Sequence, residues 1–139
     1  MTDRLRDFLR RPRTLLRQLQ RNNAELESLM SMVLPQAITY DRDKVQTTPS
    51  DPMGRYAERY DDLYRKGVEL IEEYLRARDA VRTLTDSLDP EQGLIITRRF
   101  INDEDFETIA KKANMSIRTV YRAYENAVAA MEDHPETWQ

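Results

Sequence analysis

One short stretch near the carboxyl terminus carries the side chains best suited to recognising a polar partner. Arg118 and Arg122 lie four residues apart, so they project from the same side of a helix. Thr119 and Tyr121 lie between them, and Ser116 precedes them as a helix cap. An arginine can donate two hydrogen bonds to a guanine edge or to a phosphate. We therefore expect these five residues to contact DNA, with the helix after Ser116 in the major groove.

The sequence contains no combination of residues that is typical of a catalytic centre or a metal site. The chain has no cysteine and one histidine, His134, so a usual zinc site is not expected. No serine stands near that histidine in a nucleophile motif, and no glycine-rich phosphate loop occurs. We therefore expect neither an enzyme nor a cofactor.

Local start and stop signals predict a group of short helices over residues 89–132 that positions these side chains. Asp89 and Pro90 predict a helix start, with Gln92 completing a capping box. This helix is expected to run to Ile101, with Arg98 and Arg99 near its end as phosphate contacts or as surface charges. The following Asn102-Asp103-Glu104-Asp105 predicts a break.

The next two helices are predicted from their caps and their apolar spacing. Asp105 caps the first, and the left-handed tolerance of Asn114 ends it before Ser116 caps the second. Residues at helical spacing predict the inner faces: Phe106, Ile109, Ala110 and Ala113 in the first helix, and Val120, Tyr124, Ala127, Val128 and Met131 in the second. The pattern indicates a tight helix-turn-helix.

Residues 89–135 resemble region four of sigma factors. The similarity rests on Arg98-Arg99-Phe100, then Phe106-Glu107-Thr108-Ile109-Ala110, then Met115-Ser116 leading into Arg118-Thr119-Val120, and it extends to Ala127-Val128. With Val45-Gln46-Thr47-Thr48-Pro49 and the long helix that follows, the layout is similar to the ArpU-like phage transcription regulators. The resemblance implies control of phage or prophage late genes, with DNA read by the last helix.

The charge of this segment departs from that family. Sigma region four commonly ends in a basic stretch, whereas Met131-Glu132-Asp133 is acidic here. Over residues 93–131, six basic side chains face five acidic ones, a net charge of +1. Because affinity grows with the number of phosphates neutralised, so small a charge requires help from dimerisation, RNA polymerase or the arginine-rich amino terminus.

Residues 1–35 are predicted to form basic amphipathic helices. Seven arginines stand against two aspartates in residues 1–22, a net side-chain charge of +5. Such a stretch is usually a solvated face, and it could also touch nucleic acid, a membrane surface or an acidic partner. Pro12 predicts a break between a short helix and a longer one, and Pro35 predicts the end of the longer helix.

A linker loop over residues 36–52 is expected to separate this segment from a long helix over residues 53–88, capped by Asp51. Ten residues step along the helix by four and three in a heptad seam: Tyr56, Tyr60, Leu63, Gly67, Leu70, Tyr74, Ala77, Val81, Leu84 and Leu88. Heptad spacing alone does not choose the partner. Both a hairpin against residues 12–34 and a homodimer through residues 56–88 stay open.

The composition predicts an all-α protein without a membrane partner. Only three glycines occur in 139 residues, and 34% of the residues are charged. No apolar run is long enough for a membrane span or a secretory signal, and the chain needs no disulfide, so we expect it in the cytoplasm. Residues 133–139 are predicted to be a polar tail.

Three function classes fit these features. A transcription regulator that binds double-stranded DNA agrees with the turn chemistry and the resemblance. The low net charge instead favours an adaptor that binds RNA polymerase or a sigma factor. A DNA-packaging component like the small subunit of a phage terminase would also combine such a module with oligomerising helices.

Overall fold

The computed structural model describes the backbone of residues 1–43 and 52–139 and the side chains of residues 1–33 and 52–139. All regular elements in these ranges are helical, which confirms the all-α class. The α-helices are α1 (Asp3–Asp43), α2 (Pro52–Asp86), α3 (Pro90–Ile96), α4 (Phe106–Ala113) and α5 (Ile117–Glu132). A π-helical turn, Thr97–Ile101, extends α3, and a 3-10 turn, Pro135–Thr137, follows α5.

Helix α1 does not break at Pro12, so the predicted division into two helices is wrong. The side chain of Pro12 is fully buried, together with Leu5 and Leu9 before it and Leu15 after it. An interior proline costs about 3 kcal/mol, which the burial of this continuous apolar face can offset.

The predicted helix end at Pro35 is wrong as well, because α1 continues to Asp43. Proline's fixed φ is itself helical, so a helix can pass through it at the cost of one backbone hydrogen bond and the crowding of its ring against the carbonyl of residue i−4. Helix therefore replaces the first part of the predicted loop over residues 36–52. The predicted Asp51 cap and the Val45–Pro49 segment lie outside the described residues.

The chain forms two compact units, which are divided differently from the predicted segments. One unit comprises residues 1–14 and 73–139, and the other comprises residues 15–72. We call them the terminal unit and the hairpin unit.

In the hairpin unit, α1 and α2 run antiparallel. The buried Asn22 side chain donates from Nδ2 to the carbonyl of Leu63 at 2.8 Å, and Arg59 pairs with Glu25 at 3.0 Å. Gly67 faces the same amide, and a Cβ built on it would lie only 3.1 Å from Asn22 Nδ2. Leu63 and Gly67 of the heptad seam therefore lie against α1 of the same chain, and Gly67 provides the room that Asn22 needs.

The terminal unit has two clusters of buried side chains. The larger cluster joins both ends of the chain: Leu5, Leu9, Val81, Leu84, Ile96, Phe100, Ala127, Val128, Met131 and Trp138. The smaller cluster lies among α3, α4 and α5: Ile95, Ile109, Ala110, Val120 and Ala123. Eight of these fifteen residues belong to the apolar faces predicted for α2, α4 and α5. Burial of those faces is what holds the short helices together.

Residues 133–139 are not simply a polar tail, which corrects that prediction. Trp138 is buried in the larger cluster, and its Nε1 donates to the carbonyl of Met131 at 2.8 Å. A buried indole needs a partner for its N–H, and the 3-10 turn before Trp138 brings the ring back to the end of α5.

The start of α3 follows the prediction except for its capping box. Asp89 is the cap residue and Pro90 takes the first position, but no side-chain capping bond forms. Asp89 is exposed, so water can solvate its carboxylate instead. Helix α2 ends at Asp86 rather than Leu88, and Leu88 packs against the larger cluster. None of the helices in the described residues is long and apolar enough to cross a membrane.

Candidate nucleic-acid interface

The turn between α4 and α5 forms as the residue types predict. Asn114 adopts left-handed backbone angles, φ 55° and ψ 47°, and ends α4. The amide of Met115 then donates to the carbonyl of Ala110 at 2.9 Å. Ser116 Oγ accepts a hydrogen bond from the amide of Thr119 at 3.1 Å, which caps α5. These local bonds fix where the first turn of α5 begins.

Asp105 caps α4 in the same way. Its carboxylate accepts the amide proton of Thr108 at 2.7 Å. That hydrogen bond is the largest reason why the pKa of Asp105 is lowered, because it stabilises the charged carboxylate. Both predicted caps on the carboxyl-terminal helices are confirmed.

Helix α5 buries one face and exposes the predicted recognition residues on the other. Val120, Ala123 and Ala127 are buried. The exposed set consists of Ser116, Arg118, Thr119, Tyr121 and Arg122. Ser116 and Thr119 share a hydrogen bond between their hydroxyl groups at 2.8 Å, so both hydroxyls are engaged locally.

Arg118 and Arg122 are the uncompensated charges of this face. Within the described part of the chain, neither has a carboxylate within ion-pair distance. Both guanidinium groups are exposed on the first turns of a capped helix. They can therefore hydrogen-bond to an external acceptor without first breaking an internal ion pair.

The structure gives Arg98 a structural partner. It lies on the π-helical turn, where the amide of Asn102 donates to the carbonyl of Thr97 at 3.1 Å. Arg98 pairs with Glu104 at 3.3 Å, and Lys112 pairs with the same carboxylate at 3.0 Å. The hydrogen bond from Lys112 is the main cause of the lowered pKa of Glu104, and Arg98 adds to it. Arg98 thus ties the loop before α4 to the π-helical turn.

Arg99 contacts Phe106 of α4, which in turn contacts α5. Its guanidinium carbon lies 4.6 Å from the centre of the Phe106 ring, and it donates to the carbonyl of Glu104 at 3.2 Å. Phe106 in turn contacts Tyr121, with ring centres 4.6 Å apart. Arg99 therefore connects through Phe106 to the exposed face of α5. Helical spacing identified Phe106 as an inner-face residue but could not show that it supports an arginine.

No metal centre accompanies these groups in the part of the chain that is described. No cluster there of three or more histidine, aspartate or glutamate side chains could hold a metal ion. A cavity of about 750 Å³ is lined by Arg4, Phe8, Arg11 and Trp138 among others. It belongs to the terminal unit and contains none of the predicted DNA contacts.

Comparisons of the chain with known protein families, with curated proteins and with solved structures found no match. The functional interpretation therefore depends on the residues and geometry of this chain.

Proposed function

We propose that α4, its turn and α5 form a helix-turn-helix that binds double-stranded DNA, and that the protein is a sequence-specific transcription regulator. The observation that carries this proposal is the pair of unpaired, exposed arginines on the first turns of α5. The cap at Ser116 and the buried inner face orient that helix rigidly. The sequence resemblance to ArpU-like regulators supports phage or prophage late genes as the targets.

The two arginines have different expected roles. Arg118 lies in the first turn after the cap, where a recognition helix usually comes closest to the bases. Arg122 lies one turn further along, where backbone phosphates come within reach. Loss of a bidentate base contact costs about 1–3 kcal/mol at one base pair, whereas loss of a phosphate contact weakens binding to all sequences.

The test is to select a preferred duplex from a random pool and then measure the binding of Arg118→Ala and Arg122→Ala. We expect Arg118→Ala to lose about 1–3 kcal/mol of discrimination at one base pair. We expect Arg122→Ala to bind every sequence more weakly, with a salt slope lower by about one unit. Arg65→Ala is the control, because Arg65 is exposed on α2 in the hairpin unit. If both α5 variants bind like the parent protein at every site, α5 does not read DNA.

A second candidate function rests on two exposed apolar side chains of α5. Ile117 is 42% exposed and Tyr121 is 46% exposed. Exposed apolar groups can mark a protein contact, which favours an adaptor that binds RNA polymerase or a sigma factor. A selection experiment that yields no preferred duplex, together with binding of RNA polymerase through α5, would favour this adaptor.

A further inference from the structure

A second group of arginines comes together in the terminal unit from segments far apart in sequence. A cavity of about 460 Å³ is lined by Arg6 and Arg10 of α1, Arg99 of the π-helical turn and Tyr124 of α5. We call the three arginines the arginine patch. In the sequence alone, Arg6 and Arg10 belong to a separate basic segment.

The three guanidinium groups of the arginine patch differ in whether a carboxylate pairs with them. Arg6 pairs with Asp3, an exposed residue, at 3.1 Å. Arg99 is held by a carbonyl and a ring, and Arg10 has no ion pair in the described residues. Glu125 and Glu132 also line the cavity, and within the described residues neither forms an ion pair with the patch. Glu132 pairs instead with the ammonium group of Met1 at 3.4 Å and accepts the amide of Thr2 at 2.7 Å. Arg10 and Arg99 therefore have no carboxylate partner in the described residues and can bind an external anion.

The packing of α1 fixes the position of the two amino-terminal arginines. Leu5 and Leu9 have no exposed surface and lie in the larger buried cluster. Arg6 and Arg10 follow these leucines directly and are one helical turn apart, so they share a side of the helix. A patch on a packed helix loses less conformational entropy on binding than one on a free arm.

The surroundings of Tyr124 show the same convergence of charge. Burial raises the pKa of its hydroxyl, and the positive charges of Arg99, Arg10 and Arg6 oppose that rise. Tyr124 also contacts Phe106, with ring centres 5.1 Å apart, and Phe106 contacts Tyr121 on the exposed face of α5. Aromatic contacts therefore connect the cavity to Tyr121, which lies between Arg118 and Arg122 in the sequence of α5.

We propose that Arg6, Arg10 and Arg99 bind backbone phosphates of the same duplex that α5 reads. This inference rests on the proposed function and adds the amino-terminal turns of α1 to the DNA-binding surface. Phosphate contacts fix the position of a protein on a duplex without choosing the sequence. Arg6 and Arg10 also add positive charge to that of the carboxyl-terminal helices.

The test uses the full chain and a duplex of about 30 base pairs, with affinity measured over a range of salt concentrations. In Arg6→Gln/Arg10→Gln we expect weaker binding and a salt slope lower by roughly one to two units, with unchanged sequence preference. Arg6→Lys/Arg10→Lys should keep the slope of the parent protein, because it keeps the charge. Arg17→Gln/Arg21→Gln is the matched control: it removes the same charge from the part of α1 in the hairpin unit and should also keep the slope.

Each outcome decides a different point. If the parent protein binds no duplex at any salt concentration, the proposed function and this inference both fail. If the parent binds and Arg6→Gln/Arg10→Gln keeps its slope, only the arginine patch is excluded. If Arg17→Gln/Arg21→Gln lowers the salt slope by the same amount, the effect is one of general charge and the arginine patch is excluded as a specific contact. The patch is likewise excluded if the parent protein binds polyglutamate, a polyanion without phosphates, as tightly as it binds the duplex. If thermal unfolding shows that the double glutamine variant is unfolded, Arg10→Gln alone decides, with about half the change in slope.

Discussion

Asn114 shows how one residue type determines the geometry of the candidate site. A left-handed backbone places Cβ close to the following carbonyl oxygen, and asparagine bears this cost better than most residues. The turn is short, so Asn114 ends α4 only two residues before Ser116 caps α5. Single residues of this kind could be identified in the sequence, because their hydrogen bonds reach only three or four positions along the chain.

We expect Asn114→Ala to lower the free energy of unfolding by about 1 kcal/mol and Asn114→Gly to leave it nearly unchanged. The reason is the φ of 55°, which glycine adopts freely and alanine does not. The measurement is urea unfolding. Asn102→Ala is the control, because Asn102 is exposed with a right-handed φ of −87° and should change stability by less than about 0.5 kcal/mol. Equal stability of the two Asn114 variants would contradict this account.

At the scale of elements, the sequence predicted the short helices better than the long ones. The bounds of α4 and α5 follow from caps and breaks within each segment. The passage of α1 through Pro12 depends instead on burial against residues far along the chain, which no local signal reports. The π-helical turn at Thr97–Ile101 was not predicted either, because the residue types in it are compatible with an ordinary α-helix.

The pairing of α1 and α2 leads to a prediction about Gly67 and Asn22. An alanine at an interior helix position is usually worth about 1 kcal/mol over glycine. In the parent chain Gly67→Ala should not raise the free energy of unfolding by that amount, because the new Cβ would lie 3.1 Å from Asn22 Nδ2. In the Asn22→Ala background the same change should recover it. A double-mutant cycle by urea unfolding measures this coupling, which we expect to be about 0.5–3 kcal/mol.

The hairpin provides the control for this cycle. Gly54→Ala changes an exposed glycine in the first turn of α2 and should have the same effect with Asn22 or Ala at position 22. If the effects of Gly67→Ala and Asn22→Ala on the free energy of unfolding are additive, Gly67 does not provide space for the Asn22 side chain.

At the scale of the whole molecule, both ends of the chain fold into the same unit. Leu5 and Leu9 from the start of α1 share a buried cluster with Trp138, and Arg13 pairs with Asp103 before α4. Apolar spacing could identify the inner faces of α1 and α5, but it does not report which face covers which. For this reason the sequence predicted the recognition residues of α5 and a basic amino-terminal segment, but not that Arg6 and Arg10 line the same cavity as Arg99. The net charge of −3 likewise gives no sign of the arginine patch, because its residues come from distant segments of the sequence.

The joint packing of the chain ends predicts that Leu9→Ala destabilises the terminal unit. Leu9 is fully buried beside residues of α2, α3 and α5, so its truncation should lower the free energy of unfolding by about 2–5 kcal/mol. Trp138 is the only tryptophan of the chain and lies in the same cluster, so its fluorescence during urea unfolding reports on this unit. Leu94→Ala is the matched control, because Leu94 in α3 is 40% exposed and should lose less than about 1.5 kcal/mol. If the tryptophan transition of Leu9→Ala matches that of the parent protein, the amino-terminal turns are a solvated helix with no part in this core. The arginine patch would then lose the packing that holds Arg6 and Arg10 in place.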